Sequence, residues 1–161
     1  MGEAIDRVNY ISFSSDSEEE TLCIGRKFGA ALTRGAAALL VGGLGAGKTV
    51  LVRGVGDALG AARVRSPSFT LINEYRCEKF TVVHADLYRL DDASELALEE
   101  YLDDNAVLLV EWPERWKNPP ADAVKINFET TESEPNKRLI RFSAFGKKSL
   151  DILDSLKGTL P

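Results

Sequence analysis

The 161-residue sequence is 44% hydrophobic and 28% charged with a formal charge of −5, the balance of an ordinary globular chain of one-domain size. Two cysteines and one histidine are too few for a disulfide framework, a His-rich metal site or a Ser-His-Asp triad, so Cys23 and Cys77 read as free thiols. The acidic balance argues against holding nucleic acid by overall field; no apolar run reaches bilayer length, and the N-terminal MGEAIDRVNY lacks signal-peptide features, so a cytoplasmic location is expected.

Tyr10 to Phe13 alternates enough for a short strand and runs into a serine and acid cluster. Ser15 and Glu18 have capping-box spacing. Leu22, Ile24, Phe28 and Leu32 then supply one apolar face of a helix predicted from about Asp16 to Thr33, ending at Gly35.

Ala37 to Val41 is a short unbroken apolar run, the pattern of a buried parallel strand. It delivers GGLGAGKT, Gly42 to Thr49, whose spacing is that of a phosphate-binding loop. Glycines let successive backbone N–H groups converge on an anion, and the positive end of the following helix favours phosphate. Gly42, Gly43, Leu44, Gly45, Ala46, Gly47, Lys48, Thr49 and Val50 are expected to hold a nucleotide triphosphate. Lys48 is the point charge for the β- and γ-phosphate oxygens and the Thr49 hydroxyl a ligand for Mg²⁺. A glycine-rich turn that binds nothing is the plain alternative. The helix predicted over Lys48 to Leu59 turns Val50, Val55 and Leu59 inward and stops at Gly60.

Arg63 to Leu71 reads as an extended or turning segment because Pro67 biases Ser66 away from helix. It is either a plain surface loop or a switch-like segment whose hydroxyls and arginines reach the γ-phosphate. Leu71 to Arg76 and Phe80 to Ala85 read as strands around a polar turn, the second leading into Asp86. Asp91 to Leu102 is predicted as an amphipathic helix. Ala106 to Val110 is a buried strand that ends in Glu111. Asp86 and Glu111 thus both fall at strand ends, where α/β sheets bind ligands. Either acid can share Mg²⁺ with the loop hydroxyl; Glu111, after four consecutive apolar residues, fits the Walker B pattern better.

Residues 50–80 carry five basic and three acidic side chains, whereas residues 81–121 carry three and ten. The second stretch is a solvated acidic face or a surface for a basic partner. In the tail, Ala123 to Glu129 and Arg138 to Ala144 look like a hairpin, and Lys147 to Lys157 a short helix, docked or free. With no repeat or linker, residues 1–161 are expected to form a single domain. The fold expected is α/β of the P-loop NTPase type: a mixed, mostly parallel sheet flanked by helices, with a C-terminal β-hairpin.

Four motifs in order, GGLGAGKT at Gly42 to Thr49, SPSFTLINEY at Ser66 to Tyr75, HADLYRL at His84 to Leu90 and VEWPE at Val110 to Glu114, resemble those of the TsaE (YjeE) family over about Ser14 to Ala144. That family is the ATPase component of bacterial tRNA threonylcarbamoyladenosine synthesis. The resemblance implies a slow ATPase with ATP and Mg²⁺, working in a cytoplasmic complex with TsaB and TsaD, where its hydrolysis resets the complex. Carried over by position, Lys48 contacts phosphates, Thr49 and Glu111 hold Mg²⁺, Asp86 is catalytic, Ser66 to Thr70 is the switch region and Trp112 a functionally important tryptophan. Ser68 stands where the family commonly has Thr, with the hydroxyl retained. The tail after Ala144 is outside the shared pattern.

Alternatives stay open at single positions. Asp86 can instead be a turn acid, His84 a hydrogen-bonded core histidine, and Trp112 a core seal beside Glu111 or a stacking surface. Arg65 and Arg89 are arginine-finger candidates or surface ion-pair residues. The competing function is a small-molecule kinase, which shares the loop and strand-end acid. A GTPase is disfavoured because Asn136-Lys137 continues into Arg138-Leu139 without the base-reading Asp.

Overall fold

The computed structural model describes residues 9–102 and 105–159. The N-terminal stretch lacking signal-peptide features lies, up to residue 8, outside them. The elements are β1 (Asn9–Ser15), α1 (Glu18–Ala31), β2 (Ala37–Val41), α2 (Lys48–Leu59), β3 (Ile72–Arg76), β4 (Thr81–Asp86), β5 (Ala106–Glu111), β6 (Val124–Thr131), β7 (Glu134–Ala144) and α3 (Lys147–Lys157). The strands form one seven-stranded sheet in the order β1-β7-β6-β2-β5-β4-β3. The pairs β6-β2, β2-β5 and β5-β4 are parallel. β7 and β3 run against their neighbours, and β1, antiparallel to β7, points with the central four. The expected mixed, mostly parallel sheet and the β6–β7 hairpin are present, with β1 added on the hairpin's outer edge.

Each face of the sheet carries its own core, the two-sided burial that makes central strands read as continuous apolar runs. Phe28, Leu40, Val55, Leu109, Ile126 and Phe142 belong to one, beneath α1, α2 and α3. Val83, Leu87, Leu98, Leu108, Val110 and Trp116 belong to the other. α1 and α2 cross so closely that a Cβ on Gly25 would lie 2.2 Å from the Leu51 carbonyl oxygen, and one on Gly54 2.2 Å from that of Leu22. Backbone touches backbone there, which only glycine permits. The contact fixes the height of α2, and so of the loop that feeds it.

Three expectations are corrected. The N-cap of α1 is Ser17, not Ser15: the Ser17 hydroxyl accepts the Glu20 N–H at 3.1 Å and Glu20 accepts the Asp16 N–H at 2.6 Å. Ser15 ends β1 and is buried, its hydroxyl bonded to that of Thr21 at 2.8 Å, so it is spent on packing. The helix also stops at Ala31, short of Gly35. The predicted helix over Asp91 to Leu102 is two 3₁₀ turns, Ser94–Leu96 and Leu98–Tyr101, broken at Ala97 with φ 44°. The break drops Leu98 fully into the second core; Leu96 and Leu98, two apart, do not share a helix face.

α3 is docked, with Ile152, Leu153 and Leu156 in the first core. Its N-terminus is capped from a distance: Asp122 accepts the N–H groups of Lys148 and Ser149, each at 2.9 Å. Among the described residues no helix is long and apolar enough to cross a membrane.

Candidate active site

β2, β4 and β5 end together at one edge of the sheet, and the functional candidates converge there. The loop leaves β2 beside β6: a Cβ on Gly42 would press within 2.9 Å of the Phe128 Cβ. Gly45 and Gly47 have φ 73° and 101°, and at Gly43 and Gly45 a side chain would meet nothing within 4 Å. These are the left-handed turns and open faces that let backbone N–H groups approach an anion. α2 starts directly at Lys48 behind the N-cap Gly47, which makes no side-chain cap bond, so no capping side chain stands between the first N–H groups and an anion at that end.

The Lys48 ammonium spans the loop, donating to the Gly42 and Gly43 carbonyls at 2.6 and 2.9 Å, and lies 4.4 Å from the Trp112 ring centroid. Burial lowers its pKa, opposed by the charges of Glu111, Asp86 and Glu114. The Thr49 hydroxyl donates to Glu111 Oε1 at 3.0 Å. The same oxygen is 2.9 Å from Nε2 of His84, and because a carboxylate only accepts, Nε2 carries the proton. His84 is fully buried, and its Nδ1 has no partner among the described residues. It is a buried histidine, as one reading of the sequence had it, whose partner is the strand-end acid.

Asp86 lies opposite Glu111 in the β4–β5 register. Its Oδ1 accepts the Tyr88 N–H at 3.0 Å and its Oδ2 the Ser68 hydroxyl at 3.3 Å. Ser68 in turn is 2.6 Å from Ser66. The Ser66 to Thr70 segment is tied to β4 through Leu71, whose carbonyl accepts the Asp86 N–H at 2.9 Å with Leu71 itself at φ 65°. A branched aliphatic residue in that region stores strain. Trp112, at φ 57°, is also left-handed and packs 5.0 Å from Tyr88. It walls the site, while Trp116 seals the second core.

The result is a cleft of about 280 Å³ lined by the loop from Leu44 to Val50 together with Ser66, Ser68, Asp86, Glu111, Trp112 and others. Of the sequence candidates, Gly42 and Gly43 stand behind the loop, bound through their carbonyls to Lys48. Arg65 and Arg89 do not line the cleft. The Tyr75 hydroxyl bonds the Arg65 backbone at 3.0 and 3.1 Å, and the Arg89 guanidinium lies over the exposed Phe69 ring. Sequence reasoning missed Glu18 and Arg138, which do line it. Nothing in the hairpin's pattern announces Arg138; only the register of β7 brings it to the loop.

The donors suit a hard cation: a hydroxyl and a carboxylate in contact are oxygen ligands of the kind Mg²⁺ takes. Among the described residues no group of three or more His, Cys, Asp or Glu could hold a metal alone. That fits an ion whose remaining ligands are water and substrate phosphates.

The chain matches the model of the family "Threonylcarbamoyl adenosine biosynthesis protein TsaE" over residues 15–140. It is 40% identical to the tRNA threonylcarbamoyladenosine biosynthesis protein TsaE of Nostoc sp., over 76% of this chain and 78% of that protein. To the Bacillus subtilis protein of the same name it is 37% identical, over 81% and 83%. The crystal structure of Bacillus subtilis YdiB superposes with a TM-score of 0.79 at 30% identity, covering 94% of this chain and 96% of that one.

Proposed function

The chain belongs to the TsaE family, and from that premise we propose that it is a Mg²⁺-dependent ATPase serving the synthesis of threonylcarbamoyladenosine in tRNA. The observation that carries the nucleotide reading is the contact of Thr49 with Glu111, 3.0 Å apart, at the mouth of a glycine loop spanned by Lys48. Thr49 and Glu111 would hold Mg²⁺ there, and the ion would supply neutralisation of charge on the β- and γ-phosphates.

This chain's own groups do the rest. The loop N–H groups and Lys48 bind and orient the triphosphate, Lys48 exchanging its carbonyl acceptors for phosphate oxygens. Asp86, held by the Tyr88 N–H and the Ser68 hydroxyl, orients the attacking water and accepts its proton. Ser68 links that carboxylate to the Ser66 to Thr70 segment, which acts as the switch that reports the γ-phosphate. Trp112 and Tyr88 shield one side from water.

The partners this reading brings are TsaB and TsaD, with ATP hydrolysis resetting their complex and tRNA reached only through it. A net charge of −5 favours such indirect contact. A small-molecule kinase shares the loop and the strand-end acid; the order of the four motifs favours the ATPase.

Titration calorimetry of the purified chain with ATP, with and without Mg²⁺, tests the site. Binding should tighten with Mg²⁺, and Lys48→Ala should abolish turnover while the circular dichroism spectrum is kept. Normal hydrolysis by that folded variant, or equal ATP affinity with and without Mg²⁺ in the wild type, overturns the assignment.

A further inference from the structure

Two cationic side chains line the cleft, against the three carboxylates of Glu18, Asp86 and Glu111. Lys48 belongs to the loop itself. Arg138 arrives from β7, where it pairs with Ser15 of β1 and Thr130 of β6. It reaches the loop because Gly47 has no side chain: a Cβ there would lie 3.0 Å from Arg138 Nε and 3.2 Å from its Cδ. The arginine therefore lies across the face of Gly47 that any other residue would fill.

Its hydrogen bonding is incomplete. One terminal nitrogen donates to the Asn136 carbonyl at 3.2 Å, but the Nε–H is shut off from solvent and has no partner among the described residues. A donor shielded from solvent is equally shielded from a ligand entering the cleft, so what Arg138 offers there is the rest of its guanidinium fork. Arg141 Nε is unpartnered too among the described residues, yet its guanidinium lies over Tyr10 and beside Glu129 at 3.8 Å, and it does not line the cleft. Arg138 faces the loop built for phosphate.

We infer that Arg138 contacts the phosphates of the bound nucleotide, its planar fork donating to phosphate oxygens held over Gly47. A guanidinium stays charged at every working pH and matches phosphate bidentately. The hairpin, rather than the switch segment, supplies the arginine of this site, and Lys48 and Arg138 both contact the polyphosphate. The inference rests on the nucleotide reading of the loop.

The test is calorimetric binding of Mg-ADP and of Mg-tripolyphosphate to wild type, Arg138→Ala, Arg138→Gln and Arg138→Lys, each checked for an unchanged thermal melt. Arg138→Ala and Arg138→Gln should weaken both ligands by roughly 10- to 100-fold, a charged hydrogen-bond loss, with Arg138→Lys recovering part. Full retention of ADP affinity in Arg138→Ala overturns the inference. Loss for ADP but not tripolyphosphate overturns the phosphate contact, placing the side chain at the nucleoside instead. No ADP binding by the wild type defeats the nucleotide reading itself and is thereby distinguishable.

Discussion

At the scale of the residue, Glu111 Oε1 is the atom on which the site turns, because it accepts both the Thr49 hydroxyl and the His84 Nε2–H. Two donors on one oxygen fix the carboxylate's rotamer before any cation arrives, as outer hydrogen bonds do at metal sites. If Glu111 holds Mg²⁺ as proposed, His84 is a positioning residue. His84→Leu should cost about 1–3 kcal/mol in urea unfolding, the penalty of a buried polar group left without its partner. It should also shrink the gain in ATP affinity that Mg²⁺ brings. His84→Gln, which can offer an N–H from a similar reach, should restore part of that gain. An unchanged Mg²⁺ effect in His84→Leu would make the histidine a packing residue only. The alternation of β4 places His84 and Asp86 on one side in the sequence alone; the histidine's partner could not be read there, because it comes from the next strand in the sheet and not from the chain nearby.

At the scale of the element, α3 shows how a helix outside the matched family region is held. Burial pushes the Asp122 carboxyl up, but the backbone N–H groups of Ser149 and Lys148 outweigh it and leave the pKa below the ordinary value of 3.8. A depressed folded value means the carboxylate's contribution is complete above that ordinary value and fades as pH falls through the lower folded one. Asp122→Ala should therefore lose about 0.5–2 kcal/mol near neutral pH, the range of an N-cap, and the gap to wild type should narrow as pH falls below 3.8. A constant gap across that range in urea unfolding would remove the charge from the account. The strands β2 and β5 and the helices α2 and α3 were legible in the sequence because their apolar runs and glycine stops are local signals. The stretch from Asp91 to Leu102 was not, since Leu96, Leu98, Tyr101 and Leu102 fit a helical face loosely and the second core draws Leu98 inward at the cost of Ala97 in the left-handed region. The Gly25 and Gly54 crossing was equally hidden, because two glycines inside helical patterns look like weaknesses until their backbones are seen in contact.

At the scale of the whole molecule, the loop lies where two wings of the sheet meet. On one side, β4 and β3 carry Asp86 and the Ser66 to Thr70 segment; on the other, the β6–β7 hairpin carries Arg138. Ser68 bonds Asp86 and Arg138 lies over Gly47, so both wings reach the same cleft. A ligand that takes contacts from both joins them, and by linkage stabilises the fold by about 2.7 kcal/mol at a concentration one hundred times its dissociation constant. Hydrogen exchange with and without Mg-ATP should then slow in three separate places: the loop from Gly42 to Thr49, the Ser66 to Leu71 segment and the hairpin around Arg138. Mg-ADP, lacking the γ-phosphate, should protect the loop and the hairpin while leaving the serine segment near its free rate, because the γ-phosphate is what that segment is proposed to report. Protection confined to the loop would show that the wings act independently of the nucleotide. Equal protection of all three by Mg-ADP and Mg-ATP would deny Ser66 to Thr70 its part as a switch.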